Sequence, residues 1–281
     1  MKLLRFGPPG SEKPGIVDAS GAVRDLSGHA ADFCGDGVSL AALDALRALD
    51  ITSLPVVEHP GRIGACLKSV PNFYCIGLNY AKHAAETGAA PPAEPILFSK
   101  ASTALSGPFD PVILPRGAEK GDWEAELGVI IGCDTQYVRQ EDALDHVAGY
   151  CTVNDVSERS FQAERGGQWI KGKSAPTFGP IGPYMLTADE VPDPQNLGVT
   201  LDLNGARMQA SNTNDMIFGV AEIIAYLSNF LRLQAGDIIA TGTPSGVGLG
   251  MSPQRFLRPG DVMEAEIEGL GRQRQVVHPA P

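Results

Sequence analysis

Asp122-Trp123-Glu124-Ala125-Glu126-Leu127-Gly128-Val129-Ile130-Ile131-Gly132 is the stretch whose reading decides the fold. It ends in a buried-looking apolar run bounded by glycine, which favours a strand over a helix. Residues two apart in a strand share a face, so the Glu124 and Glu126 carboxylates project the same way. Two like charges held together call for a cation or a shared proton, unless the strand face is simply solvated. A second apolar run, Gly149-Tyr150-Cys151-Thr152-Val153-Asn154-Asp155, ends in another acid before a polar segment opens at Val156. Glu124, Glu126 and Asp155 together supply hard oxygen ligands suited to Mg²⁺ or Mn²⁺.

The texture around these strands is consistent from Val70 onward. Short apolar runs separated by Gly and Pro recur at CIGLNY, PILFSK, PVILP, VTLDLNG, GDIIATGT and VMEAEIEGLG. One strong helix is expected from Asn214-Asp215 through Phe230, apolar on more than one face. Residues 1–69 read differently, with short β-like runs at 2–6, 15–18 and 22–26, then a helix from Ser39 to Leu49. Ser39 is its N-cap, and Leu40, Leu43, Leu46 and Leu49 form its stripe. The expected organisation is a small N-terminal α+β domain over 1–69 and a chemistry-bearing domain over 70–281, in a β-rich α+β architecture. The 33 glycines and 22 prolines fit many strands and turns better than a helix bundle.

A net charge of −11 argues against nucleic acid or an acidic membrane as partner, since both need a basic footprint. Capture of an anionic substrate in such a field needs a local cation or metal ion. Five cysteines, odd in number and without a C-x-x-C pair, fit neither a disulfide framework nor a zinc knuckle, so a reducing cytoplasm is the expected home. No apolar run approaches membrane-spanning length, and Gly and Pro interrupt the N-terminus too early for a signal peptide.

Further candidates cluster near these strands. His83 and Glu86, at i and i+3 on a short helix after CIGL, form either a water-activating pair or a surface hydrogen bond. Arg159 and Gln162 share the same spacing, and Lys173 sits in the Gly-flanked run WIKGKS, so a polar helix and a flexible loop could close over an anion, with solvent exposure as the alternative. Gly167 to Ser174 matches the pattern G-x-x-x-x-G-K-S, yet lacks the preceding strand and following helix that phosphate binding requires. The glycine-rich GTPSGVGLG at 242–250 meets Pro253 instead of a helix, so it is not a dinucleotide fingerprint.

Taken together, IGLNYAKHAAE, PILFSK, DWEAELGVIIG, GYCTVNDVSERSFQ, QWIKGKS, FGPIGP, NGARMQ, GDIIATGTPSGVG and FLRPGD resemble the fumarylacetoacetate hydrolase family over about residues 70–272. Within it, the sequence is most similar to bacterial hydrolases of 2,4-diketo-3-deoxy sugar acids. The resemblance implies a rolled mixed β-sheet core, usually assembled as a homodimer or a dimer of dimers. It also implies Mg²⁺ or Mn²⁺ on Glu124, Glu126 and Asp155, a His83-Glu86 dyad that activates water, and a catalytic role for Lys173. Substrate contacts are implied for Tyr80, Arg159, Gln162 and Thr243. Where the family often has Ser-Phe-Asp-Thr after Gly-Lys, this chain has Ser174-Ala175-Pro176-Thr177. The implied reaction is hydrolytic C–C cleavage of a small keto-acid. Decarboxylation of an oxaloacetate-type acid, isomerisation of a dienoate, and metal-dependent ligand binding without turnover remain the competing readings.

Overall fold

The computed structural model describes residues 1–281. Its frame is a nine-stranded mixed sheet in the order Val23–Asp25, Lys13–Val17, Lys2–Phe6, Met185–Thr187, Val147–Asn154, Ala125–Ile131, Ile238–Ala240, Phe73–Gly77 and Ile96–Lys100. All neighbours are antiparallel except Ile238–Ala240 with Phe73–Gly77. A second sheet of six strands carries Ala206–Asn212, Gly198–Leu203, Val262–Ile267, Gln275–His278 and Val112–Ile113 along its path.

Strand alternation sorts the core into two layers. Leu127, Val129 and Ile131 point into a core shared with Val199, Leu201, Ala265 and Ile267 of the second sheet and Ile223 and Ile224 of a helix. Ile130, Cys151, Val153, Phe73, Cys75 and Ile238 point to the opposite side, against Leu3, Phe33, Leu43 and Leu46. The face that continues Ile130 back along its strand is the face of Glu126 and Glu124, so the acids emerge where this second layer ends.

Residues 1–69 are joined to the rest by this sheet: Lys2 and Leu3 pair with Leu186 and Met185, and the second core layer draws on both segments. The strand Lys2–Phe6 and the helix Leu40–Arg47 lie where the sequence places them, and Ser39 Oγ accepts from the Ala42 amide at 3.2 Å. The helix expected from Asn214 begins later. Residues Thr213–Asp215 form a 3₁₀ turn, and the α-helix is Val220–Ser228. Gly219 breaks the run, and the backbone of Ile217 and Phe218 is taken by Asn79 instead of a helical ladder. No helix is long and apolar enough to cross a membrane.

Candidate active site

Glu124, Glu126 and Asp155 meet at the ends of two central strands with one ligand atom of each lying within 4.8 Å of the others, and all three are buried. Pairing of Val147–Asn154 with Ala125–Ile131 brings them together, with the Asp155 amide donating to the Glu124 carbonyl at 2.9 Å. The cluster also holds Asp122, Lys100, Lys173 and Arg159, every one buried. Lys173 Nζ donates to Glu124 Oε2 at 2.8 Å and to Asp155 Oδ2 at 2.7 Å. Lys100 Nζ bonds Asp155 Oδ1 and donates to the Val156 carbonyl at 3.1 Å. Arg159 Nε donates to Asp122 Oδ2 at 2.8 Å.

Four carboxylates therefore face three cations, and the uncompensated one is Glu126. Its recorded hydrogen bond comes from the Gly242 amide at 2.8 Å, and it forms no ion pair. Burial, then the nearby Asp155 and Glu124, push the Glu126 carboxyl well above the usual range. Burial acts the same way on Glu124, but Lys173, Arg159 and His83 outweigh it and hold that carboxyl well below. Two neighbouring acids forced in opposite directions mark a functional centre. Hard oxygen donors and one surplus negative charge fit a divalent cation on Glu124, Glu126 and Asp155.

His83 lies on the short helix Ala81–Glu86, which follows the strand Phe73–Gly77 through Leu78 in a left-handed conformation (φ 54°). His83 Nδ1 is 2.8 Å from Glu86 Oε1. The other Glu86 oxygen accepts from the Gly246 amide at 2.9 Å, so the carboxylate is fixed from both sides. A carboxylate on Nδ1 selects the tautomer that leaves Nε2 as the basic nitrogen. The dyad is thus a positioned pair, and His83 lines the same cavity of about 200 Å³ as Glu124 and Glu126.

Arg159 and Gln162 share the helix Arg159–Ala163, with Nη1 donating to Gln162 Oε1 at 3.1 Å, and both line the cavity. Arg159 Nη2 lies 2.6 Å from Glu124 Oε1 but is misaligned for a hydrogen bond, which leaves a buried donor without a bonded acceptor. Thr243 also lines the cavity, its hydroxyl bound to the Ala125 carbonyl at 3.0 Å. Lys173 differs from the expected flexible loop: it closes a short helix, Ile170–Lys173, and is buried and committed to two acids. Tyr80 stands apart. It lines a smaller neighbouring cavity with Asp215 and Ser245, and its buried hydroxyl has no partner. Ser174-Ala175-Pro176-Thr177 closes onto the core through Ser174 Oγ, which accepts from Ala101, and Thr177 Oγ1, which accepts from Ile113.

Three features escaped the sequence reading. Lys100 looked like the end of an apolar strand, although a lone lysine there is itself a signal of a buried partner. Asp122, in sequence merely a neighbour of the acids, anchors Arg159. The 242–250 turn, rejected for nucleotides, serves as a row of amide donors to Glu126, Glu86 and Asp122. Gly246 sits at φ 107°, and a Cβ there would lie 2.0 Å from the Met208 carbonyl oxygen, so only glycine delivers that amide.

The match to the model of the fumarylacetoacetate hydrolase C-terminal domain spans residues 72–278. The chain belongs to the fumarylacetoacetate hydrolase family. A Burkholderia multivorans protein that carries only a provisional hydrolase name is 55% identical over 281 residues, covering 100% of both chains. Among solved structures, a fumarylacetoacetate hydrolase from Exiguobacterium antarcticum matches with a TM-score of 0.90 at 35% identity, covering 100% of both chains. Maleylpyruvate hydrolase from Sphingobium sp. SYK-6, in complex with manganese(II) and pyruvate, matches at 0.81 and 28%, again over 100% of both. A 2-hydroxyhepta-2,4-diene-1,7-dioate isomerase from Mycobacterium marinum matches at 0.76 and 28%, covering 99% of this chain and 98% of that one. The family thus includes hydrolases and isomerases, and this member carries a buried acidic triad that could hold a metal ion.

Proposed function

We propose that this family member is a metal-dependent hydrolase that cleaves a C–C bond of a 2,4-diketo acid to release pyruvate. The observation that carries the reading is His83, fixed by Glu86, lining the same cavity as Glu124 and Glu126 of the acid triad. An isomerase or decarboxylase needs no attacking water, whereas a histidine locked by a carboxylate is built to produce one.

Glu124, Glu126 and Asp155 would hold Mg²⁺ or Mn²⁺, which supplies Lewis-acid stabilisation of oxygen charge that grows in the transition state. The chain's own groups account for the rest. Arg159 and Gln162 orient the substrate carboxylate. His83 Nε2 takes a proton from water, and the resulting hydroxide adds to the C4 carbonyl. As the C3–C4 bond breaks, its electron pair leaves with C3 as the pyruvate enolate, and C4 departs as the second carboxylic acid. The proton held on His83 returns to C3, giving pyruvate. Lys173 holds Glu124 and Asp155 in place by donating to both.

L-2,4-diketo-3-deoxyrhamnonate, which would yield pyruvate and lactate, is the specific substrate we favour on sequence resemblance. A homodimer or dimer of dimers in the cytoplasm belongs to the same proposal. The test is pyruvate release from a panel of 2,4-diketo acids with Mg²⁺ or Mn²⁺, with His83→Ala alongside. Release is expected from the wild type, falling by about 10²- to 10⁴-fold in the variant. Near wild-type turnover by His83→Ala would sink the hydrolytic reading.

A further inference from the structure

Asp122 does not line the cavity, yet it is bonded to both of the parts that work there. Its buried carboxylate accepts four hydrogen bonds, two on each oxygen. Oδ1 takes the Trp123 amide at 2.9 Å and the Gly248 amide at 2.7 Å. Oδ2 takes Arg159 Nε at 2.8 Å and the Leu249 amide at 3.1 Å. One side chain thus joins the helix that begins at Arg159 to the turn Gly248–Gly250. The junction is tight: a Cβ on residue 248 would lie 1.8 Å from the Arg255 carbonyl oxygen and 2.9 Å from Asp122 Oδ1.

The two turn amides that Asp122 holds stand between two points at which the same loop grips Glu86. Upstream, the Gly246 amide donates to Glu86 Oε2 at 2.9 Å, and Trp123 Nε1 steadies Gly246 by donating to its carbonyl at 3.1 Å. Downstream, Gly250 lies directly on the Glu86 side chain, where a Cβ would come within 2.6 Å of Cδ and 2.7 Å of Oε2. Glu86 Oε1 in turn lies 2.8 Å from His83 Nδ1. An unbroken path of hydrogen bonds and close contacts therefore runs from Arg159 through Asp122 and the loop to Glu86 and His83. A charged acceptor with every oxygen engaged holds such a path in one geometry.

We infer that Asp122 is a positioning residue that keeps Arg159 and the Glu86-His83 pair in register, so that one buried carboxylate fixes both the site for the keto-acid carboxylate and the orientation of the imidazole. The inference rests on the proposed function for the roles of Arg159 and His83. Displacing a reacting group by about 1 Å from a remote position is enough to cost a large part of the rate.

Asp122→Asn keeps the size of the side chain. Its amide group turns donors toward one pair of donors whichever way it lies, and each pair includes an amide of the turn. Two readouts need no turnover. Titration calorimetry with pyruvate in Mg²⁺ buffer should show binding weakened by at least about tenfold. Imidazole NMR spectra should show the His83 Nδ1–H signal displaced from its wild-type position. A merely structural Asp122 would lower the melting temperature and leave both readings unchanged in the folded protein. That outcome, a change in one reading alone, or failure of the wild type to bind pyruvate overturns the inference. Gly250→Ala tests the path from its other end without touching Asp122. Its Cβ, set against Glu86, should move the same His83 signal and weaken pyruvate severalfold, and unchanged affinity would separate the two halves. Pyruvate release is scored separately: if no 2,4-diketo acid is cleaved, the hydrolase reading fails while pyruvate affinity and the His83 signal still decide the role of Asp122.

Discussion

Two charged networks, one half-buried and one fully buried, tie this molecule together, and they are built on opposite principles. Arg5, Glu12, Asp32, Arg62 and Asp110 link the N-terminal segment to the core. Arg5 Nε donates to Asp32 at 2.6 Å, Arg62 Nη1 to Glu12 at 2.7 Å, and Arg62 Nε to Asp110 at 2.6 Å. Every acid there faces a guanidinium, with Lys68 adding a longer contact to Asp32. The network around Glu124 and Asp155 leaves Glu126 without any cation. A closed network fastens two parts of a fold together; one left open by a charge has room for an ion that the chain does not supply.

Breaking the two networks should therefore have different consequences. The largest effect is expected from Lys173→Met, which strips a buried donor from Glu124 and Asp155 and should lower kcat by about 10²- to 10³-fold in pyruvate-release assays. Arg5→Ala should do the reverse. Leaving Asp32 short of its buried partner should cost roughly 3 kcal/mol of stability, read by denaturant melts, with kcat retained. A loss of kcat without loss of stability would erase the contrast. Lys100→Met, which frees Asp155 Oδ1 from its ammonium, should weaken metal binding by about 10- to 100-fold, measured by calorimetry.

The smallest effect concerns Glu126 itself. Its carboxyl, raised by burial and then by Asp155 and Glu124, binds a proton more tightly in the folded than in the unfolded chain. Stability of the metal-free protein should consequently fall as pH rises above the ordinary value of 4.5 toward the raised one. Glu126→Gln should flatten that dependence and raise the metal-free melting temperature at neutral pH, by a few degrees for about 1 kcal/mol. An unchanged pH profile would show that Glu126 is already compensated.

The reach of the sequence follows the range of the interactions. Alternation along 122–132 is a local rule, and it put Glu124 and Glu126 on one face. The i,i+3 spacing of His83 and Glu86 is equally local. Lys100, Asp122 and the 242–250 amides act across separations that only strand pairing creates: Gly242 to Glu126, Gly246 to Glu86, Lys100 to Asp155. No periodicity announces such contacts. The late start of the Val220–Ser228 helix has the same origin, since Asn79, far along the chain, claims the Phe218 amide at 2.8 Å. Lys173 was found by its motif, but its burial was hidden, because flanking glycines suggest mobility when in fact Gly172 packs against the Glu158 carbonyl.

The most direct measurement is an Mn²⁺ titration followed by electron paramagnetic resonance on the metal-free protein, comparing wild type with Glu126→Gln. The account predicts one saturable Mn²⁺ site per chain in the wild type and its loss in the variant, with the fold intact by circular dichroism. Absence of a site in the wild type, or equal binding by both proteins, would contradict it.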